Sequence, residues 1–229
     1  VRREHHPVGL DLDPQAQLGT IMGITALSSD DSIYGLFQRN RPLSELIKTS
    51  SSGINVIPSH IELSKVDALH GKGYNVINKL NTSLMAEKAG AENRPWLIDC
   101  SPLVGVLSLN AIFACSGVIV PISADHLSLS GAMKIKKTLQ ALEQVLKRRV
   151  ERRYLLTRFD SRRSMAKDIF NMAKSEFGED VCQTIISENV SLAESPSVKK
   201  NIFEYAPSSR GAQDYDALLD ELMSDGFIQ

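Results

Sequence analysis

The sequence predicts an α/β fold, a doubly wound and mostly parallel sheet with helices on both faces. Three observations lead there. Short β-rich runs alternate with longer helical stretches along the chain. Several of the runs are apolar almost without a break, as strands covered on both faces are. Two of them carry aspartate at or beside their carboxyl ends, where open parallel sheets bind ligands. At 229 residues, with no internal repeat and no linker longer than the Ser/Thr-rich loop Thr49–Gly53, the chain reads as one domain, 1–229.

The predicted strands are Val8–Leu12, Ile54–Pro58, Trp96–Asp99, Gly117–Pro121, Tyr154–Thr157 and Val181–Ser187. Between them fall helices. Tyr74–Lys88 places Val76, Ile77, Leu80, Leu84 and Met85 on one face, and Val104–Ala114 is short and apolar enough for a buried helix. Leu127–Arg149 carries Ile135, Leu139, Leu142 and Leu146 as a stripe with basic residues opposite. Ser164–Phe177 and Asp214–Met223 complete the set.

Composition narrows the function classes. Hydrophobic residues make up 42% and charged residues 23%, ordinary globular values. There is no apolar run of about 18 residues, and the opening residues lead into no apolar signal core. Cys100, Cys115 and Cys182 are far apart and never in CxxC spacing, which points to reduced thiols in a cytoplasm. A net charge of −1 is not that of a polycation, so any contact with nucleic acid has to come from local patches. His5 and His6 sit beside the terminus and take no role.

Three constellations carry chemistry. Leu10-Asp11-Leu12-Asp13-Pro14-Gln15 puts two carboxylates at a strand end, placed either for hydrated Mg²⁺ and an attacking water or as an acidic turn with Asp13 capping a helix. Trp96-Leu97-Ile98-Asp99-Cys100-Ser101-Pro102 has the form of a Walker B segment, whose carboxylate holds Mg²⁺ through water. A basic run (Lys134, Lys136, Lys137, Lys147, Arg148, Arg149, Arg152, Arg153) is opposed in sequence only by Glu143 and Glu151, and Arg158, Arg162, Arg163 and Lys167 follow it. It suits phosphate-backbone contact or a solvated helix face.

Taken in order, these segments resemble the ParA/Soj branch of the deviant-Walker ATPases (the ParA/MinD superfamily). Asp11-Leu12-Asp13-Pro14-Gln15 is similar to that group's D-x-D-P-Q, and Leu97-Ile98-Asp99-Cys100-Ser101-Pro102 to its I-D-x-P-P. Leu155-Leu-Thr157-Arg158-Phe-Asp160-Ser-Arg162 is similar to L-T-x-Y-D-x-R. Ile186–Ser197 resembles I-P-R-N-V-R-L-S-E-A-P-S, and Ser209-Arg210-Gly211-Ala212-Gln-Asp-Tyr215 resembles S-R-G-A-x-x-Y. The resemblance implies a P-loop NTPase-like fold acting in plasmid or chromosome partitioning or cargo positioning. The implied ligands are ATP and Mg²⁺, and the implied partners an ATP-dependent homodimer, nonspecific DNA and a ParB-like stimulating protein. It implies that Asp13 orients the attacking water and that Asp11 and Asp99 hold the metal's hydration shell. Thr157 and Arg158 then lie near the adenine, and Arg162, Lys199 and Lys200 face DNA. The implied location is the cytoplasm, with nucleoid association through that DNA. A membrane is disfavoured because the C-terminal stretch is acidic.

The departures have consequences. No GxxxxGK[ST] occurs, so the first strand and Walker A loop of the resembled fold are absent from these residues. That loop belongs roughly 25 residues before Asp11, and ten residues precede it here. Residue 1 is Val, which reads as a clipped chain, a partial gene product or a start set too far downstream. Without the loop's backbone amides and lysine, the chain is expected not to hydrolyse ATP. Two apolar strands are expected to lack a hydrogen-bonded neighbour, and the chain alone to be poorly soluble or heterogeneous. Ser101, Ser187, Glu188 and Ser191 also depart from the pattern, the last two where the family often has arginine. A nucleotide-free binding or positioning module is the alternative. A phosphoacceptor domain using Asp11 and Asp13 fits the downstream motifs badly.

Overall fold

A computed structural model describes residues 6–68, 74–88, 94–101 and 104–228. His5 and Pro102, both quoted above, lie outside the described residues. The chain is α/β with mostly parallel strands and forms two compact units, Val1–Cys115 and Ser116–Gln229.

The first unit is built on a four-stranded sheet of order β2-β3-β1-β4. Its strands are β1 (Val8–Asp11), β2 (Lys48–Thr49), β3 (Asn55–Ile57) and β4 (Trp96–Asp99). β1 runs parallel to both β3 and β4, and β2 closes an antiparallel hairpin with β3. Thr49 of the expected loop is therefore a strand residue. The helices are α1 (Gln17–Ile21), α2 (Ile33–Arg39), α3 (Ser64–Asp67), α4 (Tyr74–Ile77), α5 (Lys79–Lys88) and α6 (Val106–Ala114). Val8, Leu10, Leu12, Ile57, Leu80 and Leu107 lie in one apolar core with Ile33, Leu36, Leu43 and Leu63.

The helix expected over Tyr74–Lys88 is broken between α4 and α5, and the cause is Asn110 of α6. Its amide occupies the rung that Leu80 and Val76 would share. Oδ1 accepts from Leu80 N at 3.1 Å, while Nδ2 donates to Val76 O at 3.0 Å and to Val106 O at 2.8 Å. A side chain inserted into the i→i−4 ladder is a recognised cause of a kink. The buried amide thereby has all its polar atoms paired.

Gly35 in α2 is required by close approach. A Cβ there would collide with the carbonyl oxygen of Asp30, which also accepts from Arg41 Nη1 at 2.9 Å. Gly35→Ala is expected to destabilise the chain by about 1–2 kcal/mol, the overpacking cost exceeding the helix-propensity gain. Urea unfolding checks this, and an unchanged midpoint would refute the packing argument.

In the second unit β5 (Gly117–Ser123) and β6 (Glu151–Thr157) pair in parallel over seven residues. The helices are α7 (His126–Leu146), α8 (Ser164–Phe177), α9 (Val190–Glu194), α10 (Ile202–Tyr205) and α11 (Arg210–Ser224). Asp125 caps α7 by accepting from Ser128 N at 2.8 Å, which meets a free donor of the first turn.

The strand expected at Val181–Ser187 does not form. Cys182 N and Ile186 N donate to Tyr154 O and Leu156 O of β6, both at 2.9 Å. Between them, Gln183 N and Thr184 N turn to the Glu221 carboxylate of α11, each at 2.7 Å. Ser187 N donates to Asp214 Oδ2 at 2.8 Å. Glu221 thus takes Thr184 N, the donor that a continuous ladder with β6 needs after Cys182 N, so only isolated bridges remain.

Among the described residues β4 has a strand neighbour on one side only, with Leu97 58% exposed. β5 is likewise paired on one side, with Ile119 38% exposed.

Candidate functional site

The site residues of the first unit gather where β1 and β4 end. Their parallel register sets Asp11 directly opposite Asp99, and neighbouring strands lie about 4.8 Å apart. Leu12 N donates to Asp99 O at 2.8 Å, which carries the pairing one residue past the strand.

Asp11 is completely buried. Its Oδ1 accepts from Asp13 N at 3.1 Å and its Oδ2 from Gly19 N at 3.3 Å. The carboxylate thus pins both the turn after β1 and the helix beyond it. Burial pushes its pKa up to about 6 against the lowering effect of the two amides, and the charges of Asp99 and Asp13 add to the rise. Gly19 is held tightly as well: a Cβ there would lie 3.0 Å from Ile24 O.

Asp13 is half-buried and accepts from Gln15 N at 3.0 Å. Its backbone carbonyl accepts from Ala16 N at 2.9 Å. The acidic turn is present without the helix cap expected of Asp13, and the geometry also suits a water site. Ala16 adopts a left-handed conformation (φ 55°), and Asp13 makes no side-chain cap to α1. Asp99 is exposed, and its pKa is raised, first by the protein packed around its base and then by the Asp13 charge.

These carboxylates suit a hydrated Mg²⁺, which prefers one or two carboxylates together with water and phosphate oxygens. Among the described residues no three His, Cys, Asp or Glu side chains converge on a direct metal site. The triphosphate is a different matter. No segment of the 229 residues supplies the glycine-rich cradle of amides and its lysine.

The remaining site candidates lie in the second unit. Thr157 ends β6, and Arg158 follows with φ 51° and pairs with Glu188 at 3.3 Å. Arg162 is exposed and forks onto Asp160 through Nε at 2.8 Å and Nη2 at 2.9 Å. Asp160 is thereby held down to about pKa 2. Lys199, also left-handed (φ 54°), and Lys200 are exposed on the turn before α10.

Much of the basic run is neutralised within its own unit. Lys136 meets Glu176, Arg149 meets Asp180, Arg152 is buried against Glu143, and Arg153 meets Asp225. Lys134, Lys137 and Lys147 stay exposed. Sequence distance hid the acidic partners other than Glu143, which come from α8, the turn after it and the C-terminal residues.

Cys100 and Cys182 have no reactive setting. Burial pushes the Cys100 thiol up to about 12 and that of Cys182 up to about 11.

A family model described as an AAA domain matches residues 6–152. The chromosome partitioning protein ParA of Caulobacter vibrioides is 30% identical over 217 residues, covering 94% of this chain and 81% of that protein. The chain belongs to the ParA/Soj family of partitioning ATPases. Within this family, the sporulation initiation inhibitor protein Soj of Bacillus subtilis is 29% identical across 95% of this chain and 86% of its own length. The fold matches a putative plasmid partition protein of Borrelia burgdorferi solved with AMPPNP (TM-score 0.80, 18% identity, 97% of this chain and 88% of that one). It also matches cobyrinic acid a,c-diamide synthase of Mycobacterium smegmatis solved with ADP and magnesium (TM-score 0.79, 23% identity, 98% and 85%).

The ParA/Soj motifs near the C-terminus prove to be structural. Ser209 caps α11 by accepting from Ala212 N at 3.2 Å, and Arg210 pairs with Asp214 at 2.8 Å. A Cβ on Gly211 would lie 2.6 Å from Leu192 Cγ. Sequence reading missed the Gly19 and Glu221 contacts, because each joins residues whose proximity depends on packing.

Proposed function

We propose that this chain works as a ParA/Soj-type positioning protein, both units serving one ParA-like domain over 1–229 in a cytoplasm, with DNA as the surface it moves on. The observation that carries the reading is the parallel register of β1 and β4, which sets Asp11 opposite Asp99 beside Asp13. Mg²⁺ and ATP are the ligands this reading requires. When bound, they supply the phosphoanhydride and the charge that stabilises its cleavage. Asp99 offers its exposed carboxylate to the metal's water. Asp13 orients the attacking water. Asp11 contributes from the buried side, mainly by fixing the turn that carries Asp13. Thr157 and Arg158 serve the adenine. Arg162, Lys199 and Lys200 contact DNA backbone in an ATP-dependent homodimer, and a ParB-like protein stimulates turnover.

The 229 residues alone are not expected to hydrolyse ATP, since they contain no GxxxxGK[ST]. A nucleotide-free positioning module is the second reading, and the same observation favours it. Fusing a relative's strand and Walker A loop ahead of residue 6 separates the two. Under the first reading the fusion gains Mg²⁺-dependent hydrolysis, which Asp13→Ala abolishes while nucleotide binding stays within about threefold. Turnover that survives Asp13→Ala overturns the assigned role. A fusion that folds but binds no nucleotide selects the second reading. Replacing Lys199 and Lys200 by alanine is expected to weaken DNA binding irrespective of sequence and to lower the salt slope by about 2.

A further inference from the structure

Two stripes run along α7. Leu129, Ala132 and Leu139 are buried, and the first two pack with Met133 and Ile135 in the core shared with β5, β6 and α8. The other stripe is Leu127, Gly131, Lys134, Thr138, Ala141 and Val145. Its spacing alternates between four and three residues, which holds one line along a helix and is the spacing of helix-on-helix packing. At 1.5 Å per residue the line is about 27 Å long. Leu127 is 87% exposed and Val145 60%, Lys134 and Ala141 are exposed, and a Cβ on Gly131 would stand in open space. Scattered exposed apolar residues are ordinary, but these are aligned, and among the described residues none of the six belongs to an apolar core. Charge decides what fits the line. The only acid of α7 is Glu143, which is taken by the buried Arg152. Lys134 on the stripe and Lys137 beside it are exposed and have no ion-pair partner among the described residues.

We infer that the exposed stripe of α7 is a docking surface for an acidic amphipathic helix of a partner protein. The partner's apolar face covers Leu127, Ala141 and Val145. Gly131 and Ala141 let the two backbones approach, since interaxial distance follows the side chains at the contact. Its flanking carboxylates meet Lys134 and Lys137. A single polar residue in such a seam fixes register, which is the part Lys134 plays. Two other occupants fit less well. A second copy laid antiparallel would match Leu127 to Val145 and Gly131 to Ala141, yet it would gather the lysines of both copies with no acid between them, and facing like charges destabilise. A nucleic-acid backbone would meet the lysines but leave the apolar residues against phosphate and sugar. The inference does not depend on the ATPase reading.

The test is the affinity of the 229-residue chain for labelled three-heptad peptides at low salt, read by fluorescence anisotropy. The first peptide has Leu at a, Ala at d and Glu at e and g, where like charges also keep it from pairing with itself. The second has Lys at e and g, and the third keeps Glu but has Ser at a and d. Saturable binding of the first is expected, about tenfold tighter than of the second, the swing when two exposed pairs turn from attraction to repulsion. The Ser peptide should bind at least about tenfold more weakly, for want of apolar contact. Lys134→Glu/Lys137→Glu should reverse the preference between the Glu and Lys peptides. Val145→Asp should weaken both by about tenfold or more. These variants change exposed side chains, and unaltered urea midpoints serve as the folding control. No binding, no preference between the Glu and Lys peptides, or a preference that the double variant does not reverse overturns the proposal. Tighter binding of duplex DNA that the double variant abolishes assigns the face to nucleic acid, and self-association that Val145→Asp abolishes assigns it to a second copy. Either result overturns it too.

Discussion

Glu143→Ala is expected to destabilise the chain by about 3–5 kcal/mol, the cost of leaving a buried charge without its partner. Arg152 is 5% exposed and its guanidinium lies against Glu143. Its Nε donates to Val150 O at 3.1 Å, and Glu143 Oε1 also accepts from Val150 N at 3.0 Å. One carboxylate therefore satisfies a buried cation and the amide at the entrance to β6. Removing it strands both. The pair itself is not expected to contribute that much, since desolvation offsets most of the Coulomb attraction. The double variant Glu143→Leu/Arg152→Met should therefore recover most of the loss. A thermodynamic cycle from urea unfolding of the four proteins measures the coupling. A single variant that loses under 1 kcal/mol would show that water reaches the guanidinium.

Asp11→Ala is expected to cost about 3 kcal/mol near pH 7, because two buried amides, Asp13 N and Gly19 N, lose a carboxylate acceptor, and more at pH 4, where the tighter-held proton adds to native stability. Asp11→Asn keeps one acceptor. The native carboxyl has a folded pKa of about 6 against an ordinary 3.8, so the folded state holds its proton more tightly than the unfolded chain does. Its contribution is therefore greatest below about pH 4, falls as pH rises toward about 6, and is flat above that. Each pKa unit is worth about 1.4 kcal/mol. Asparagine does not titrate. It should be less stable than native at pH 4, where its NH₂ opposes one of the two amide donors. It should gain on native by about 3 kcal/mol between pH 4 and pH 7. Unfolding curves at these two pH values decide it. A constant difference would mean that Asp11 ionises as freely in the fold as in water.

Both predictions concern residues whose type is plain in the sequence and whose role is not. Asp11 belongs to a motif that points to metal chemistry. In the fold it first does the work of an anchor, because the buried side chain at the last strand position accepts from Asp13 N of the turn and Gly19 N of α1. Glu143 belongs to a helix that reads as a solvated basic face. It is drawn to Arg152 because α7 ends and the chain returns into β6 only a few residues later.

What the sequence determined by itself is the family, the α/β class and the strand ends carrying Asp11, Asp13 and Asp99. Those are local matters: apolar runs, helical periodicity and short motifs reflect neighbours along the chain. Trp96–Asp99 and Ser164–Phe177 form with the boundaries expected of them, and Val8–Leu12 forms to within a residue. Tertiary structure decided the rest. It broke the helix at Asn78 by inserting Asn110, and interrupted the strand after Val181 by giving the Thr184 amide to Glu221. It also paired half of the basic run with acids 9 to 72 residues away. In each case a polar group met a partner far along the chain, and a hydrogen bond between distant residues leaves no periodic trace in sequence.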